Sequence, residues 1–553
     1  MQTKSSVARR TSRLAATALP VLLFATAPLA ARKFLDDDPL RQEPKPRDAS
    51  QALSRKISDY YDFAVQNFSR RGEYHTPGHI YPARGVDTLG EPMAGVWYTP
   101  RHYYRRMSLA ELAEGAGNQM APSLDGPWKV VKAKTEGITP GFEFVDSAGH
   151  RYMIKFDPLD YPEIASSADV LVSKFFYALG YHVPQNYIVY FPQGQLTLRG
   201  DVKMVTAVGK TRRMTVRDLV DVMMNVPRNH EGQFRGAASL YLHGKPLGPF
   251  KYYGTRRDDP NDVVPHEHRR ELRGLSIFCA WLGHDDSRAI NTQDMLVEEG
   301  GVSYIRHHLI DFGSTLGSAS TGPNSPRSGF EYIVDWDAGF RQLLTLGFAP
   351  PDWASAKYPK YRSVGRFESR KFRAEEWVPE YPNPSFRNRL PDDEFWAAKQ
   401  VMAFTDEEIA AIVKTGQYSD PGAEQWITRC LIERRDKIGR AFLERVLPLD
   451  KFAVRGGRLE FEDLGLKHQL VAARQYSVQW SVFDNERETK TTISEAASLI
   501  VPEGEVGEGG YLAADIHRGD PQKSLTVYLL RKPGDWQVVG IERRWNPEDL
   551  KPP

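Results

Sequence analysis

Apolar residues recur at two different spacings along the chain, and these spacings predict the order of its elements. From Trp128 onward apolar positions alternate with polar ones, which is typical of half-buried strands. Over Ala165–Leu179 the apolar residues recur every three to four positions, which predicts a helix that ends at Gly180. The predicted strands of this region are Trp128–Ala133, Phe142–Val145, Tyr152–Phe156 and Tyr187–Phe191. The predicted order is therefore three strands, one helix and one strand.

Most of the chain on either side of this region has the apolar spacing of helices, whereas the last hundred residues alternate like strands. Helical spacing predicts helices over Ala49–Phe68, His266–Leu282, Asp393–Met402, Thr405–Thr415 and Ala423–Arg445. Two short strands, Met295–Val297 and Tyr304–Ile310, interrupt this series after the second helix. The last hundred residues alternate again, for example at Tyr476, Val478 and Trp480. Their pattern predicts a small antiparallel β-sandwich.

The N-terminus has the composition of a secretory signal. Four basic residues precede an apolar run from Leu14 to Ala30, and the first acidic residue is Asp36. A basic segment, a short apolar run and small residues at its end predict a cleaved signal peptide over residues 1–31, and hence an exported, periplasmic or secreted protein. The alternative is an uncleaved membrane anchor, for which this run is near the short limit. Residues 32–48 are rich in proline and charge, which predicts a linker.

Charge and cysteine content exclude several classes of function. The 553 residues include 73 basic and 71 acidic ones, a net charge of +2. This balance gives no electrostatic basis for nucleic-acid binding, and it leaves the signal peptide before cleavage as the only expected membrane contact. Two cysteines are too few for a disulfide framework or a cysteine-based zinc site.

A lysine and an acid stand in consecutive predicted elements of the alternating region. Lys155 lies on a predicted strand, on the opposite face from Ile154, and the following helix offers Asp169 or Glu163. Transfer of a phosphoryl group from a nucleotide needs a lysine that neutralises phosphate oxygens and an acid that holds this lysine in place. The strand and helix can supply both groups.

Three more polar residues follow the helix His266–Leu282 in the order that this chemistry needs. Asp286 and Asn291 are five positions apart in one predicted loop, and Asp311 ends the strand Tyr304–Ile310. An aspartate can orient and deprotonate an acceptor hydroxyl, while an asparagine and a second aspartate can hold magnesium ions that bridge the phosphates.

These residues stand in motifs that resemble those of the protein-kinase-like superfamily. The motifs are Met153-Ile-Lys155, His284-Asp-Asp286 with Asn291, and Asp311-Phe-Gly313, and the superfamily patterns are V-A-I-K, H-R-D-x-x-x-x-N and D-F-G. The segment Phe176–Pro184 is similar to atypical branches, the HipA-type and CotH-type kinases, and the chain also resembles a group of exported bacterial proteins of unassigned function. The resemblance covers roughly residues 125–445.

The resemblance implies a role for each matched residue. Lys155 would bind the nucleotide phosphates and Asp169, rather than Glu163, would hold it; Asp286 would be the catalytic base. The implied metal ligands are Asn291 and Asp311, and the implied cofactors are ATP and Mg²⁺.

Three departures from the superfamily patterns accompany the resemblance. Asp285 replaces the arginine that would precede the catalytic aspartate, so a regulatory phosphate paired with that arginine is not implied. No G-x-G-x-x-G loop precedes Lys155, and the nearest candidate for a phosphate-binding loop is Lys134–Gly141, which contains Gly137. The long interval before Asp286 predicts an insert within Asp201–Val264.

Pattern and resemblance together predict an α+β chain with a two-lobed protein-kinase-like fold, a β-rich N-lobe and a helical C-lobe, followed by a small all-β sandwich. The expected domains are 1–31 signal peptide, 32–48 linker, 49–124 helical or irregular extension, 125–192 N-lobe, 193–449 C-lobe with insert, and 450–553 β-sandwich-like domain.

Three functions remain open from the sequence. The first is an exported kinase-like enzyme that transfers a phosphoryl group from Mg-ATP to a protein, glycan or small molecule. The second is a pseudokinase-like scaffold of the cell envelope, since a periplasm contains little free ATP. The third is transfer of AMP on the same fold, because the motifs do not determine the leaving group.

Overall fold

A computed structural model gives the structure of residues 32–76, 78–117, 120–133, 140–205, 210–345, 348, 350–496, 498–546 and 550. The predicted signal peptide, residues 1–31, and Gly137 of the predicted phosphate loop lie outside these described residues. The described part is a mixed α+β structure. Within it, no helix is both long and apolar enough to cross a membrane.

The helices of the described residues are concentrated in the middle of the chain. They are α1 (Asp59–Phe68), α2 (Leu109–Glu114), α3 (Ile164–Ala178), α4 (Val216–Met223), α5 (Arg270–Leu282), α6 (Trp336–Leu344), α7 (Pro384–Arg387), α8 (Pro391–Val401), α9 (Asp406–Lys414), α10 (Pro421–Phe442) and α11 (Leu464–Lys467).

The strands form two large sheets and several small ones. They are β1 (Trp128–Ala133), β2 (Gly141–Val145), β3 (Arg151–Lys155), β4 (Asn186–Phe191), β5 (Leu196–Leu198), β6 (Lys203–Val205), β7 (Thr211–Arg213), β8 (Phe234–Leu240), β9 (Lys245–Gly248), β10 (Thr292–Glu299), β11 (Val302–Leu309), β12 (Leu449–Arg455), β13 (Arg458–Asp463), β14 (Ser477–Asp484), β15 (Thr489–Ala496), β16 (Tyr511–His517), β17 (Ser524–Lys532) and β18 (Asp535–Arg543).

The first large sheet has six strands in the order β4-β8-β3-β2-β1-β5. β3 lies inside it, paired with β2 through Phe142 and Ile154 and with β8 through Ala238. Apolar side chains on one face form a core that includes Trp128, Phe144 and Ile154. Because β5 and β8 belong to this sheet, the domain boundary predicted at residue 192 divides a single sheet.

The helix predicted over Ala49–Phe68 is shorter than expected. Only α1, from Asp59, is helical, and the hydroxyl of Ser58 accepts from the Tyr61 N–H at its start. The preceding residues are bound to β11 and β9 instead: Ala49 N–H donates to Ser303 O at 2.7 Å and Arg55 N–H to Leu247 O at 2.8 Å. These bonds replace the intrahelical ones, so the prediction for Ala49–Ser58 was wrong.

A second core joins the helices to the hairpin that carries the site. Every residue of α5 is buried, and its core cluster includes residues of α3, α8, α9 and α10. The hairpin of β10 and β11 starts with the pair Thr292–Leu309. This register brings Asn291, just before β10, next to the residues that follow β11.

The last hundred residues form a five-stranded antiparallel sheet, β15-β14-β16-β17-β18, and the two-stranded hairpin β12-β13. Leu449 and Leu459 of the hairpin share one core with Trp480 on one face of the sheet. The other face is covered by Phe34, which is 2% exposed. The predicted linker, residues 32–48, is therefore packed onto the sheet at this end, because an aromatic side chain in it is buried.

Candidate active site

Lys155 lies at the end of β3, where the alternation of the strand directs its side chain away from the core. Ile154 is fully buried, whereas the Lys155 ammonium reaches two carboxylates on other elements. Its Nζ donates to Asp169 Oδ2 at 3.1 Å and to Asp311 Oδ1 at 2.8 Å. Burial alone would lower the pKa of Lys155, but the two carboxylates outweigh it and raise that pKa above its ordinary value. The lysine is therefore a fixed cation.

α3 holds Asp169 opposite Lys155. The carboxylate of Asp157 accepts from the N–H groups of Ala165 and Ser166 at 2.8 Å, which satisfies donors in the first turn of the helix. Asp169 follows one turn later and is 2% exposed. Its fixed position is what allows one carboxylate to serve several partners.

Asp169 links Lys155 to the Asp-Phe-Gly motif and to β4. Its Oδ1 accepts from Phe312 N–H at 3.1 Å and from Asn186 Nδ2 at 3.2 Å. Asn186 was not identified from the sequence, where it is an ordinary polar residue at the start of a strand. The other acid considered, Glu163, accepts from Ser419 N–H at 2.9 Å and lies 3.5 Å from Arg235. Asp169 is thus the acid that contacts Lys155.

The loop after α5 carries Asp286 and Asn291. The helix ends at Gly283, whose φ of 62° is the left-handed conformation that glycine adopts without strain. Asn291 Nδ2 donates to the backbone oxygen of Asp286 at 2.7 Å, which fixes the loop. Since the amide nitrogen is engaged, the amide oxygen of Asn291 is the atom that can serve as a metal ligand.

His284 and Asp285, in the same loop, have structural partners. The His284 ring lies 5.9 Å from the Phe176 ring and 6.0 Å from the Phe312 ring, between α3 and the Asp-Phe-Gly motif. Burial lowers the pKa of His284 to about 4, so the ring is neutral at physiological pH. Asp285 accepts from Asn324 Nδ2 at 2.9 and 3.1 Å, and therefore anchors the segment after Gly313.

Asp311 lies next to Asn291 because of the hairpin. The N–H of Ile310 donates to Asn291 O at 3.0 Å, and Asp311 then adopts a φ of 61°. This left-handed conformation is uncommon for a residue with a Cβ and is typical of functional sites. The carboxylate is 41% exposed while it also binds Lys155. Asp311 is thus held in place with part of its carboxylate exposed, where a ligand can reach it.

Arg288 forms a charge cluster around Asp286 that was not predicted. Its Nε donates to Asp286 Oδ1, its Nη1 to both oxygens of Asp59 at 3.1 Å, and Nε lies 3.6 Å from Glu380. Burial raises the pKa of Asp286, Arg288 lowers it, and Asp311 raises it again, so that the pKa stays above its ordinary value. Arg288 stood within the recognised motif, but Asp59 and Glu380 are too distant in sequence to be associated with it.

The donor set suits a hard divalent cation. Asp311 and Asn291 offer oxygen ligands, and magnesium is usually held by one or two protein groups, with water and phosphate oxygens as its other ligands. Among the described residues, no group of three or more His, Cys, Asp or Glu side chains is arranged to hold a metal ion. The residues therefore fit a metal that arrives with a phosphate ligand better than one enclosed by protein.

Comparison with known proteins gives structural neighbours of low sequence identity. No protein-family model matches the chain, and no curated protein matches it. The Helicobacter pylori proinflammatory kinase CtkA is similar over 57% of this chain and 98% of its own, at 10% identity and a TM-score of 0.29. The Golgi casein kinase with Mn/ADP bound is similar over 61% and 76%, at 10% identity and a TM-score of 0.28. Hydra Fam20 with sugar is similar over 61% and 96%, at 12% identity and a TM-score of 0.28.

CtkA and the Golgi casein kinase are kinases, but similarity at TM-scores near 0.3 does not establish the fold or the activity of this chain. The similarity to HipA-type and CotH-type kinases and to the exported bacterial group stays a prediction. In this chain, Lys155 contacts both Asp169 and Asp311, and Asn291 is hydrogen-bonded to Asp286.

Proposed function

We propose that the chain is an exported kinase-like phosphotransferase that uses Mg-ATP. The observation that carries this proposal is the position of the Lys155 ammonium between Asp169, at 3.1 Å, and Asp311, at 2.8 Å. A phosphate-binding lysine needs a buried acid that fixes it and a second acid beside it for the metal, and these three residues meet that requirement from three separate elements.

Each residue has a distinct task in this proposal. When bound, ATP supplies the phosphoryl group and Mg²⁺ neutralises part of its charge. Lys155 binds phosphate oxygens, Asp169 keeps it in place, and Asn291 and Asp311 are the residues that would hold the metal. Asp286 orients the acceptor hydroxyl and accepts its proton.

In the proposed transfer, one bond to phosphorus forms as another breaks, and Asp286 takes up the proton that is released. The acceptor oxygen forms a bond to the γ-phosphorus while the bond from that phosphorus to the bridging oxygen breaks, and nucleoside diphosphate leaves. The proton of the acceptor hydroxyl passes to the Asp286 carboxylate. A raised pKa, as found for Asp286, makes a carboxylate a better proton acceptor.

Arg288 has a positioning role in this proposal. It donates to Asp286 and so orients the carboxylate, while the Asp59 carboxylate shares its charge. Because Arg288 is shared between carboxylates, it lowers the pKa of Asp286 less than an arginine paired with Asp286 alone would.

Thermal unfolding of residues 32–553 with and without Mg-ATP tests the proposal. A ligand at a hundredfold its dissociation constant stabilises the native state by about 2.7 kcal/mol. We expect a magnesium-dependent rise in the melting temperature of the wild type that is lost in Asp311→Ala and kept in Asp37→Ala, which changes an exposed aspartate. A wild type that is not stabilised by millimolar Mg-ATP would contradict the proposal and favour a scaffold function.

A second measurement separates phosphoryl from AMP transfer. The two groups add different masses to an acceptor or to the protein itself, so intact-mass spectrometry after incubation with Mg-ATP distinguishes them. We expect the mass of a phosphoryl group.

A further inference from the structure

A cleft of about 640 Å³ opens next to the catalytic loop, lined by none of the site residues described above. We call it the Tyr74 cleft, after the tyrosine in its wall. α1 leads into it: Asp59 at one end contacts Arg288, and Phe68 at the other end lines the cleft. A ten-residue helix is about 15 Å long, so the cleft lies within that distance of the catalytic loop.

A second segment also connects the charge cluster around Asp286 with the Tyr74 cleft. Glu380 lies 3.6 Å from Arg288, and its neighbours Val378 and Pro379 line the cleft. Two independent pieces of chain thus run from the charge cluster around Asp286 into the cleft. The wall of the cleft is therefore connected to the charge cluster around Asp286 at two places.

The wall of the Tyr74 cleft carries two arginines that lack an acidic partner. The guanidinium of Arg70 lies 4.5 Å from the centre of the Tyr74 ring, and that of Arg387 lies 5.7 Å from it. Throughout the described residues, no carboxylate is within ion-pair distance of either arginine. Both guanidinium groups lie beside the same ring, and a cation–π contact leaves their N–H groups for a ligand. A guanidinium with available N–H donors suits a carboxylate or phosphate.

The acidic side chains that line the cleft are bound to other groups or lie beyond ion-pair distance of Arg70 and Arg387. Glu394 accepts from Arg389 at 2.9 Å and lies 3.7 Å from Arg445. Asp335 accepts from Ala338 N–H at 2.8 Å at the start of α6. Asp337 and Glu375 also line the cleft, but neither is within ion-pair distance of Arg70 or Arg387. The binding capacity for an anion is therefore located at Tyr74.

An exposed apolar stripe adjoins the cleft. Trp336 belongs to the lining and is 72% exposed, and it begins the helix α6, in which no residue is buried. Phe340, Leu343 and Leu344 continue the same face at 61%, 69% and 67% exposure. Residues at i, i+4, i+7 and i+8 lie on one side of a helix, so they form one continuous stripe. Stripes of this kind commonly mark a binding surface.

We propose that the Tyr74 cleft and the apolar stripe bind the acceptor, and that the acceptor is a polypeptide segment with acidic and apolar side chains. This inference rests on the proposed function, because it assigns the acceptor of the same reaction. The acidic side chains pair with Arg70 and Arg387, and the apolar ones cover the stripe from Trp336 to Leu344. A carboxylated glycan would satisfy the arginines, but it has no apolar side chains to cover two leucines and a phenylalanine.

The test measures binding of a short fluorescein-labelled peptide in which Glu and Leu alternate around one Ser. Fluorescence anisotropy gives its affinity for the wild type, for the double variant Arg70→Ala, Arg387→Ala, and for Trp336→Ser. We expect each variant to bind more weakly, the double arginine variant by at least about tenfold, as loss of charge-assisted hydrogen bonds predicts. Arg455→Ala, at an exposed arginine of β12, is the matched control and should bind like the wild type.

Two further probes decide between ligands. A peptide with Gln in place of Glu should bind more weakly than the acidic peptide. Polygalacturonate, a carboxylated glycan, should compete more weakly than the unlabelled acidic peptide, because it cannot cover the apolar stripe. Equal binding of the wild type and the double arginine variant, failure of the wild type to bind the acidic peptide, or tight binding of polygalacturonate would each overturn the inference.

Measuring nucleotide binding distinguishes failure of the acceptor assignment from failure of the phosphotransferase proposal. Stabilisation by Mg-ATP should be the same in the double arginine variant as in the wild type, because neither arginine contacts Lys155, Asp169 or Asp311. If the wild type binds the peptide but not the nucleotide, the phosphotransferase proposal fails. If it binds the nucleotide but not the peptide, only the acceptor assignment fails.

Discussion

Arg288, in the loop after α5, donates from Nη1 to both carboxylate oxygens of Asp59, at 3.1 Å each, although 229 positions separate the two residues. The same guanidinium binds Asp286 through Nε. The N-terminal extension therefore contacts the group that holds the proposed catalytic base. A second contact supports the arrangement, since Tyr381 donates to Asp62 Oδ2 of α1 at 3.1 Å.

Asp59→Asn should lower the activity and shift its pH dependence. Without the Asp59 charge, Arg288 is shared by fewer carboxylates and holds Asp286 more strongly, which lowers the pKa of Asp286. We expect the acidic limb of the kcat/KM profile to move to lower pH by less than about one unit, because partly exposed ion pairs are worth ~0.2–1 kcal/mol. The rate of ATP-dependent phosphorylation measured across pH checks this.

The conservative change Asp59→Glu keeps the charge and should restore most of the profile. A loss of activity in Asp59→Asn without a shift in the acidic limb would indicate that Asp59 supports only the position of α1. Asp37→Asn, at an exposed aspartate on the surface, is the control for the charge change alone.

Lys155→Met should destabilise the fold and abolish nucleotide binding. It leaves the Asp169 carboxylate, which is 2% exposed, without its cation. Loss of one partner of a buried pair costs about 3–5 kcal/mol, although the partly exposed Asp311 places this case at the lower end. The free energy of unfolding in urea measures the cost.

A double-mutant cycle tests the cause of that effect. Because Lys155→Met, Asp169→Asn leaves no buried charge unpaired and only the partly exposed Asp311 loses its cation, its destabilisation should be smaller than the sum of the two single variants. Additive effects would mean that the contact at 3.1 Å contributes nothing to stability.

Glu380→Gln should flatten the pH dependence of stability above about pH 5. Burial, together with the charge of Asp286, raises the pKa of Glu380 from 4.5 to about 8. Between these values the folded protein retains a proton that the unfolded chain releases, so the free energy of unfolding falls as the pH rises through this window. The glutamine variant lacks this proton and should lose less stability on going from about pH 5 to pH 8.

Urea unfolding at several pH values measures the slope for the wild type and the variant. Glu376→Gln, at an exposed glutamate four residues earlier, should keep the wild-type slope. Equal slopes in Glu380→Gln and the wild type would show that this carboxyl ionises normally in the folded protein.

Three residues of the candidate site are predicted from local order in the sequence. Lys155 follows from the alternation of a strand, Asp169 from the helix after it, and Asp311 from the end of a hairpin strand. The structure places the first two in contact and brings Asp311 to the same lysine. Each of these residues lies at an element end or on an element face that a periodic pattern reveals.

The parts that the sequence did not reveal depend on contacts between distant segments. Asp59 and Glu380 reach Arg288 from outside the motifs, and no spacing rule connects them. The helix predicted from Ala49 was too long for a similar reason: the backbone of this segment binds Ser303 and Leu247. Local periodicity cannot account for hydrogen bonds that are made with another part of the fold.

Phe34→Ala should destabilise the C-terminal sheet, although Phe34 lies in a segment whose composition predicts a linker. Its ring is 2% exposed and lies 5.0 Å from the Tyr528 ring, directly over Gly540, where an added Cβ would come within 2.4 Å of it. Removing a buried phenylalanine costs about 3–5 kcal/mol. The neighbouring Leu35 is 54% exposed, so Leu35→Ala is a matched control that should cost little. Chemical unfolding of both variants, followed by tryptophan fluorescence, measures the difference. Equal stability of the two variants would mean that residues 32–48 contribute no packing energy to the sheet.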